Sequence, residues 1–224
     1  MKNYGICNLS AIPVRKNPGS IYEMVTQILF GEIFSVVKHE KKWTKIINEF
    51  DNYEGWVNNT QIRLINDKEY NFLSSKKKIY SIDKFGYILN NKNEKIYLPL
   101  GCSIHSCEFL ETKYIGEKSK KVNSSIANTV KLYLNAPYLW GGKTNYGIDC
   151  SGFSQQVYKL HGININRDAS QQALQGKIVK NKNTTEGDLA FFGESKKNIT
   201  HVGILLEKNK IIHAFGKIRI DKLN

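Results

Sequence analysis

Proline, methionine and cysteine are scarce in this chain, at 4, 2 and 4 of 224 residues. So few cysteines exclude a secreted scaffold held together by disulfides, and the same composition excludes collagen-like or low-complexity sequence. No apolar run approaches the ~18 residues that a membrane-spanning helix requires. The opening stretch, Met1 to Asn8, passes straight into mixed polar sequence with no apolar signal segment, so a cytoplasmic protein is expected. Arginine is rare too, confined to Arg15, Arg63, Arg167 and Arg219.

What remains is ordinary for a globular protein, with 41% hydrophobic and 24% charged residues. The length suits one large domain or two to three small ones. The net charge of +13 is carried almost entirely by lysine, in short clusters such as Lys76–Lys78 and Lys118–Lys121. A specific nucleic-acid reader carries an arginine-bearing face or a recognisable module. Neither is present, so the lysines read as solvated surface, and neither a nucleic-acid nor a membrane partner is expected.

The chain changes texture near residue 120. Before it, short β-branched and aromatic runs alternate with turns: Val25–Gly31, Ile33–Val37, Trp43–Ile47 and Trp56–Val57, then Ile79–Ile82, Gly86–Leu89, Ile96–Gly101 and Phe109–Thr112. Strands this short suggest small barrels. Gly116–Lys121 reads as a linker. After it, Asn123 caps an expected helix with Ile126, Val130 and Leu134 on one stripe. A second helix is expected from Ser151 to His161, with Phe153, Val157 and Leu160 on one face and Gly162 as its stop. An extended run at 188–192 and a hairpin from His201 to Phe215 follow. Helices first and antiparallel strands after them read as α+β.

Cys150 stands where a glycine-rich loop, Gly141 to Asp149, enters that second helix. Unpaired N–H groups and the helix dipole favour an anion there, so the thiol is a candidate nucleophile. Cys7, Cys102 and Cys107 lack such a setting and read as structural. The hairpin supplies the partners. A three-residue turn, Glu207-Lys208-Asn209, pairs 203 with 213 and puts His201 and His213 on one face. Asn209 tolerates the left-handed backbone that this turn needs. The other face is then Val202, Ile204, Leu206, Ile212 and Ala214, which is continuously apolar. A thiol with two histidines permits nucleophilic attack on an amide carbonyl, with His201 moving the proton and His213 orienting it. A zinc site from one Cys and two His stays open as an alternative, although no paired ligand motif accompanies it.

Tyr138-Leu139-Trp140-Gly141-Gly142, Asp149-Cys150-Ser151-Gly152, Arg167-Asp168-Ala169-Ser170-Gln171-Gln172, Gly187-Asp188-Leu189 and His201-Val202-Gly203-Ile204 resemble the NlpC/P60 family of cysteine peptidases. The likeness covers about residues 122–224. Val14-Arg15 and Gly55-Trp56-Val57 resemble a bacterial SH3 domain, and Leu98-Pro99-Leu100-Gly101 a weaker second one. The whole is similar to intracellular γ-D-glutamyl-L-diamino acid endopeptidases that recycle cell-wall peptides.

The resemblance implies a papain-like catalytic domain at 121–224, preceded by two small SH3-like β-barrels at 1–67 and 68–120. It implies Cys150 as nucleophile, His201 as base, His213 as third member and Tyr138 as support near the thiol or oxyanion. It further implies that the first SH3 domain selects peptides with a free N-terminal L-Ala, which makes Glu23 and Tyr53 candidates for holding the ammonium. Asp149, Ser151, Asp168 and Ser170 are lining candidates by motif position. Asp149 could equally cap the helix, and Asp168 could pair with Arg167. No cofactor or metal is implied, and a monomer acting on small murein peptides is expected. One further strand is expected after His213, where few residues remain. A non-catalytic wall-peptide binder and a thiol amidase or transferase remain competing readings.

Overall fold

A computed structural model describes residues 3–195, 198–207 and 209–223. The chain forms two compact units, Met1–Lys121 and Val122–Asn224.

In the first unit, β1 (Tyr4–Ile6), β2 (Ala11–Arg15), β3 (Met24–Leu29), β4 (Ile33–His39), β5 (Trp43–Asn48), β6 (Glu54–Asn58) and β7 (Arg63–Ile65) make one antiparallel sheet. Its order is β3-β2-β6-β5-β4-β1-β7. Alternation drives it: along β5 every second residue, Thr44, Ile46 and Asn48, is buried while the intervening ones are partly exposed. Cys7, Ile12, Val14, Ile28, Phe34, Ile46 and Val57 fill the core of this sheet.

The sequence reading missed α1 (Asp67–Ser75). Asn66 and Glu69 form a reciprocal capping box at its start, each side chain taking the other's backbone N–H. After it come β8 (Tyr80–Ser81), β9 (Tyr87–Leu89), β10 (Lys95–Tyr97), β11 (Lys113–Ile115) and β12 (Lys118–Ser119), as a three-stranded sheet β10-β9-β11 and a pair β12-β8. A second core joins the two halves of the unit: Ile6, Leu29, Phe30 and Ile65 pack with Leu73, Ile88, Leu98, Cys102 and Leu110. The expected strand at Phe109–Thr112 is a turn, because Glu111 adopts a left-handed backbone with φ 54° and Leu110 turns into that core. The expected linker carries β12, whose Lys118 and Ser119 pair with Ser81 and Tyr80.

In the second unit the expected first helix splits into α2 (Ile126–Val130) and a 3-10 turn, Lys131–Tyr133. Its cap is Ser125, which accepts the Asn128 N–H, and not Asn123. A two-stranded ribbon follows, β13 (Lys143–Thr144) with β14 (Gly147–Ile148). Then come α3 (Cys150–Leu160) and the short α4 (Ala169–Gln172). The unit closes with an antiparallel sheet of β15 (Leu189–Ser195), β16 (Asn198–Glu207), β17 (Lys210–Phe215) and β18 (Lys217–Lys222), in that order. The strand expected after His213 is therefore β18. Helix α3 packs on β16 and β17. No helix among the described residues is long and apolar enough to cross a membrane.

Candidate active site

Cys150 is the first residue of α3 and is 7% exposed. Asp149 sets that position. Its extended backbone ends the loop, and its carboxylate accepts the N–H of Gly152 at 2.7 Å and of Gly141 at 2.8 Å. The entry is tight, since a Cβ at Gly152 would run into the carbonyl oxygen of Gly142. Arg167, 1% exposed, grips the same carboxylate with two nitrogens, at 3.0 and 2.6 Å, and reaches Ser151 Oγ at 2.8 Å.

The two histidines come from the sheet. The register pairs Gly203 with His213 as expected, but the expected three-residue turn is not formed: Glu207 stays in β16 and pairs with Lys210, and the extra residue is taken up by a bulge at Leu206. Asn209 takes φ 63° in the turn; Lys208 lies outside the described residues. Val202, Ile204, Ile212 and Ala214 are buried on the face opposite the histidines. Gly203 stands opposite His213 and two residues along the strand from His201, and a Cβ there would press on Ile211 and on His213 Cβ at 3.0 Å. His201 Nε2 and His213 Nδ1 are 2.8 Å apart. Phe192 lies tilted against the His201 ring, with centroids 5.8 Å apart, and Phe215 stacks on His213 at 6.2 Å.

Cys150 meets this strand at Val202, whose backbone N–H hydrogen-bonds the thiol. Burial pushes the thiol above its ordinary value and the Asp149 carboxylate adds to that; the amides of Val202 and Ser151, and Arg167, pull the other way. Burial lowers His201, and His213 lowers it further. Both shifts favour a neutral thiol beside a neutral imidazole over the thiolate that the helix end alone suggests. Tyr138 is threaded between Ile148 of β14, which it bridges, and Gly216, whose carbonyl accepts its N–H at 3.0 Å. Burial raises its hydroxyl first, and the nearby Cys150 and Asp149 raise it further.

The remaining candidates are placed as follows. Ser151 is buried and held by Arg167. Asp168 stands at the N-cap of α4, and Ser170 is exposed on that helix. Glu23 and Tyr53 belong to the first unit. Glu23 precedes β3 with its carboxylate 3.6 Å from Lys16 Nζ, and the Tyr53 N–H donates to Asp51. Register places both at the same end of β2, β3 and β6, since Arg15 pairs with both Met24 and Trp56.

Sequence reasoning missed Asp221 and Arg219 on β18. Asp221 Oδ2 lies 2.9 Å from His213 Nε2, and Arg219 holds the other carboxylate oxygen through Nε at 3.0 Å and Nη2 at 2.7 Å. The signal was present: Gly216 as a turn residue, then basic and acidic residues alternating with Ile218 and Ile220. Among the described residues no three His, Cys, Asp or Glu side chains are grouped to hold a metal ion.

The NlpC/P60 family pattern matches residues 135–224, and a bacterial SH3 domain pattern matches residues 10–62. The chain carries an NlpC/P60 domain behind a bacterial SH3 domain. This makes it a hydrolase of the cysteine-peptidase kind. It is 29% identical over 84% of its length to a γ-D-glutamyl-L-lysine dipeptidyl-peptidase of Bacillus subtilis, spanning 71% of that protein. It is 38% identical over 40% of its length to the protein of the same name from Bacillus cereus, where the match spans 27% of the relative. The crystal structure of an NlpC/P60 family protein from Bacillus cereus shares the fold, with a TM-score of 0.81 at 19% identity over 99% of this chain and 94% of that one.

Proposed function

We propose that this NlpC/P60 chain hydrolyses the γ-D-glutamyl–diamino acid bond of small, already released murein peptides that carry a free N-terminal L-Ala. It does so as a cytoplasmic monomer in peptidoglycan recycling, with no nucleic-acid or membrane partner. The observation that carries the reading is Cys150 at the start of α3, hydrogen-bonded by the Val202 amide beside a coupled His201–His213 pair. The names of the Bacillus relatives support the bond class.

In this mechanism Cys150 passes its proton to His201 as its sulfur bonds to the scissile carbonyl carbon. N–H groups at the start of α3 and the Tyr138 hydroxyl stabilise the oxyanion. The C–N bond then breaks and His201 returns the proton to the leaving amine. Water, deprotonated by His201, attacks the thioester and releases Cys150. Glu23 and Tyr53 hold the substrate ammonium, and Asp168 and Ser170 line the diamino-acid side. Asp149 and Ser151 act through the Arg167 cluster that fixes the nucleophile. Residues 68–120 are a second, smaller SH3-like module fused to the first through their common core.

The test is mass spectrometry of L-Ala-γ-D-Glu-L-Lys and its diaminopimelate analogue, beside their N-acetylated forms and intact sacculi. Cleavage of the free-amine peptides alone supports the reading. Cleavage of acetylated peptides or of sacculi overturns the selection by a free amine.

A further inference from the structure

The proton positions on the two histidines follow from β18. Asp221 Oδ2 is 2.9 Å from His213 Nε2, and a carboxylate only accepts. His213 Nε2 therefore carries a hydrogen. A neutral imidazole carries one, so His213 Nδ1 is an acceptor. The 2.8 Å contact is then His201 Nε2–H donating to His213 Nδ1. That leaves His201 Nδ1 with a lone pair and no partner among the described contacts. A doubly protonated His213 would reverse this bond, put the His201 hydrogen on Nδ1 and remove the base.

We propose that Asp221, clamped by Arg219, is a positioning residue that fixes the tautomers of both histidines, so that His201 Nδ1 is the nitrogen that takes the Cys150 proton. The inference rests on the peptidase reading above. The strand pairing makes the arrangement rigid: His213 lies opposite Arg219, and Asp221 follows two residues on, on the same face. Arg219 occupies Asp221 Oδ1 with two nitrogens, so the carboxylate cannot turn its second oxygen away from the ring. The titratable and charged side chains facing His213 are His201, Asp221 and Arg219. As His201 becomes cationic during attack, the same line of hydrogen bonds holds its Nε2–H in place.

The direct test is 15N NMR of the histidine ring nitrogens of the full chain, at a pH where both rings are neutral. The expected result is Nε2–H on both rings. Nδ1–H on His213 overturns the proposal. Asp221→Asn keeps the shape, yet its amide can donate as well as accept. Mixed tautomers are expected, with kcat down by roughly ten- to a hundredfold, the range seen when carboxylates that orient metal-bound histidines are changed. KM is expected to stay within about twofold of native, because Asp221 does not reach substrate. Native kcat together with unchanged tautomers in that variant overturns the proposal. Arg219→Gln keeps the carboxylate and removes its clamp; Nε2–H on His213 with a smaller loss of kcat is expected, and it serves if Asp221→Asn fails to fold. The ring-nitrogen measurement needs no substrate, so absent cleavage by the native chain sinks the peptidase reading without touching the tautomer result.

Discussion

Arg167 and Asp149, eighteen residues apart in the chain, meet as a buried two-nitrogen ion pair beneath the first turn of the helix that begins with Cys150. The same carboxylate accepts two backbone N–H groups, so one side chain caps the helix, closes the loop and neutralises the arginine. Removing either partner strands a charge in a dry site. Arg167→Met and Asp149→Ala are each expected to cost about 3–5 kcal/mol, measured by urea denaturation. A loss below about 1 kcal/mol would show that water relieves the remaining charge.

The resting electrostatics give a pH prediction. His201 must be neutral to accept a proton, and burial with His213 moves its titration below the ordinary histidine value. The acid limb of kcat/KM is therefore expected below the reference value of about 6.5. Because burial raises the thiol, alkylation of Cys150 by iodoacetamide is expected to climb on into the alkaline range. A plateau of fast alkylation near neutrality would reveal a preformed thiolate instead.

Gly203 gives a steric prediction. A methyl at this position presses on Ile211 and on His213 Cβ, forcing β16 and β17 apart where the histidines are coupled. Gly203→Ala is expected to destabilise the domain by about 1–3 kcal/mol, as overpacking does. It should also lower kcat more than it changes KM. Thermal unfolding and steady-state kinetics check the two effects separately.

Selection by the free amine predicts a variant that distinguishes substrates. Glu23→Gln removes the carboxylate while leaving the shape, and a hydrogen bond to a charged group is worth roughly 1.5–3 kcal/mol. KM for the free-amine peptide is therefore expected to rise by about ten- to a hundredfold. An unchanged KM would remove Glu23 from the site.

Local features of this chain were legible because local physics decides them. Asp149 before a glycine-bordered helix announces the α3 start, and the parity of the hairpin fixes the 203–213 register from apolar alternation alone. The Asn66–Glu69 capping box was equally visible in principle, yet the short polar helix behind it buries only Leu73, with Tyr70 partly buried beside it. What the sequence hid is tertiary pairing. Although the Asp221 partner of His213 was legible in the alternation that follows Gly216, nothing near Asp149 signals that its partner is Arg167, because that pair depends on how separate elements pack. The core shared by Ile6, Leu29 and Ile65 with Leu98 and Cys102 was hidden for the same reason.

The central claim is that Cys150 is the nucleophile for a γ-D-glutamyl bond. The measurement that tests it most directly is intact-protein and product mass spectrometry of the native chain and of Cys150→Ala with L-Ala-γ-D-Glu-L-Lys. The account predicts free lysine and L-Ala-D-Glu from the native chain and none from the variant. It also predicts a transient acyl adduct that maps to Cys150. Cleavage by the variant at the native rate would contradict it.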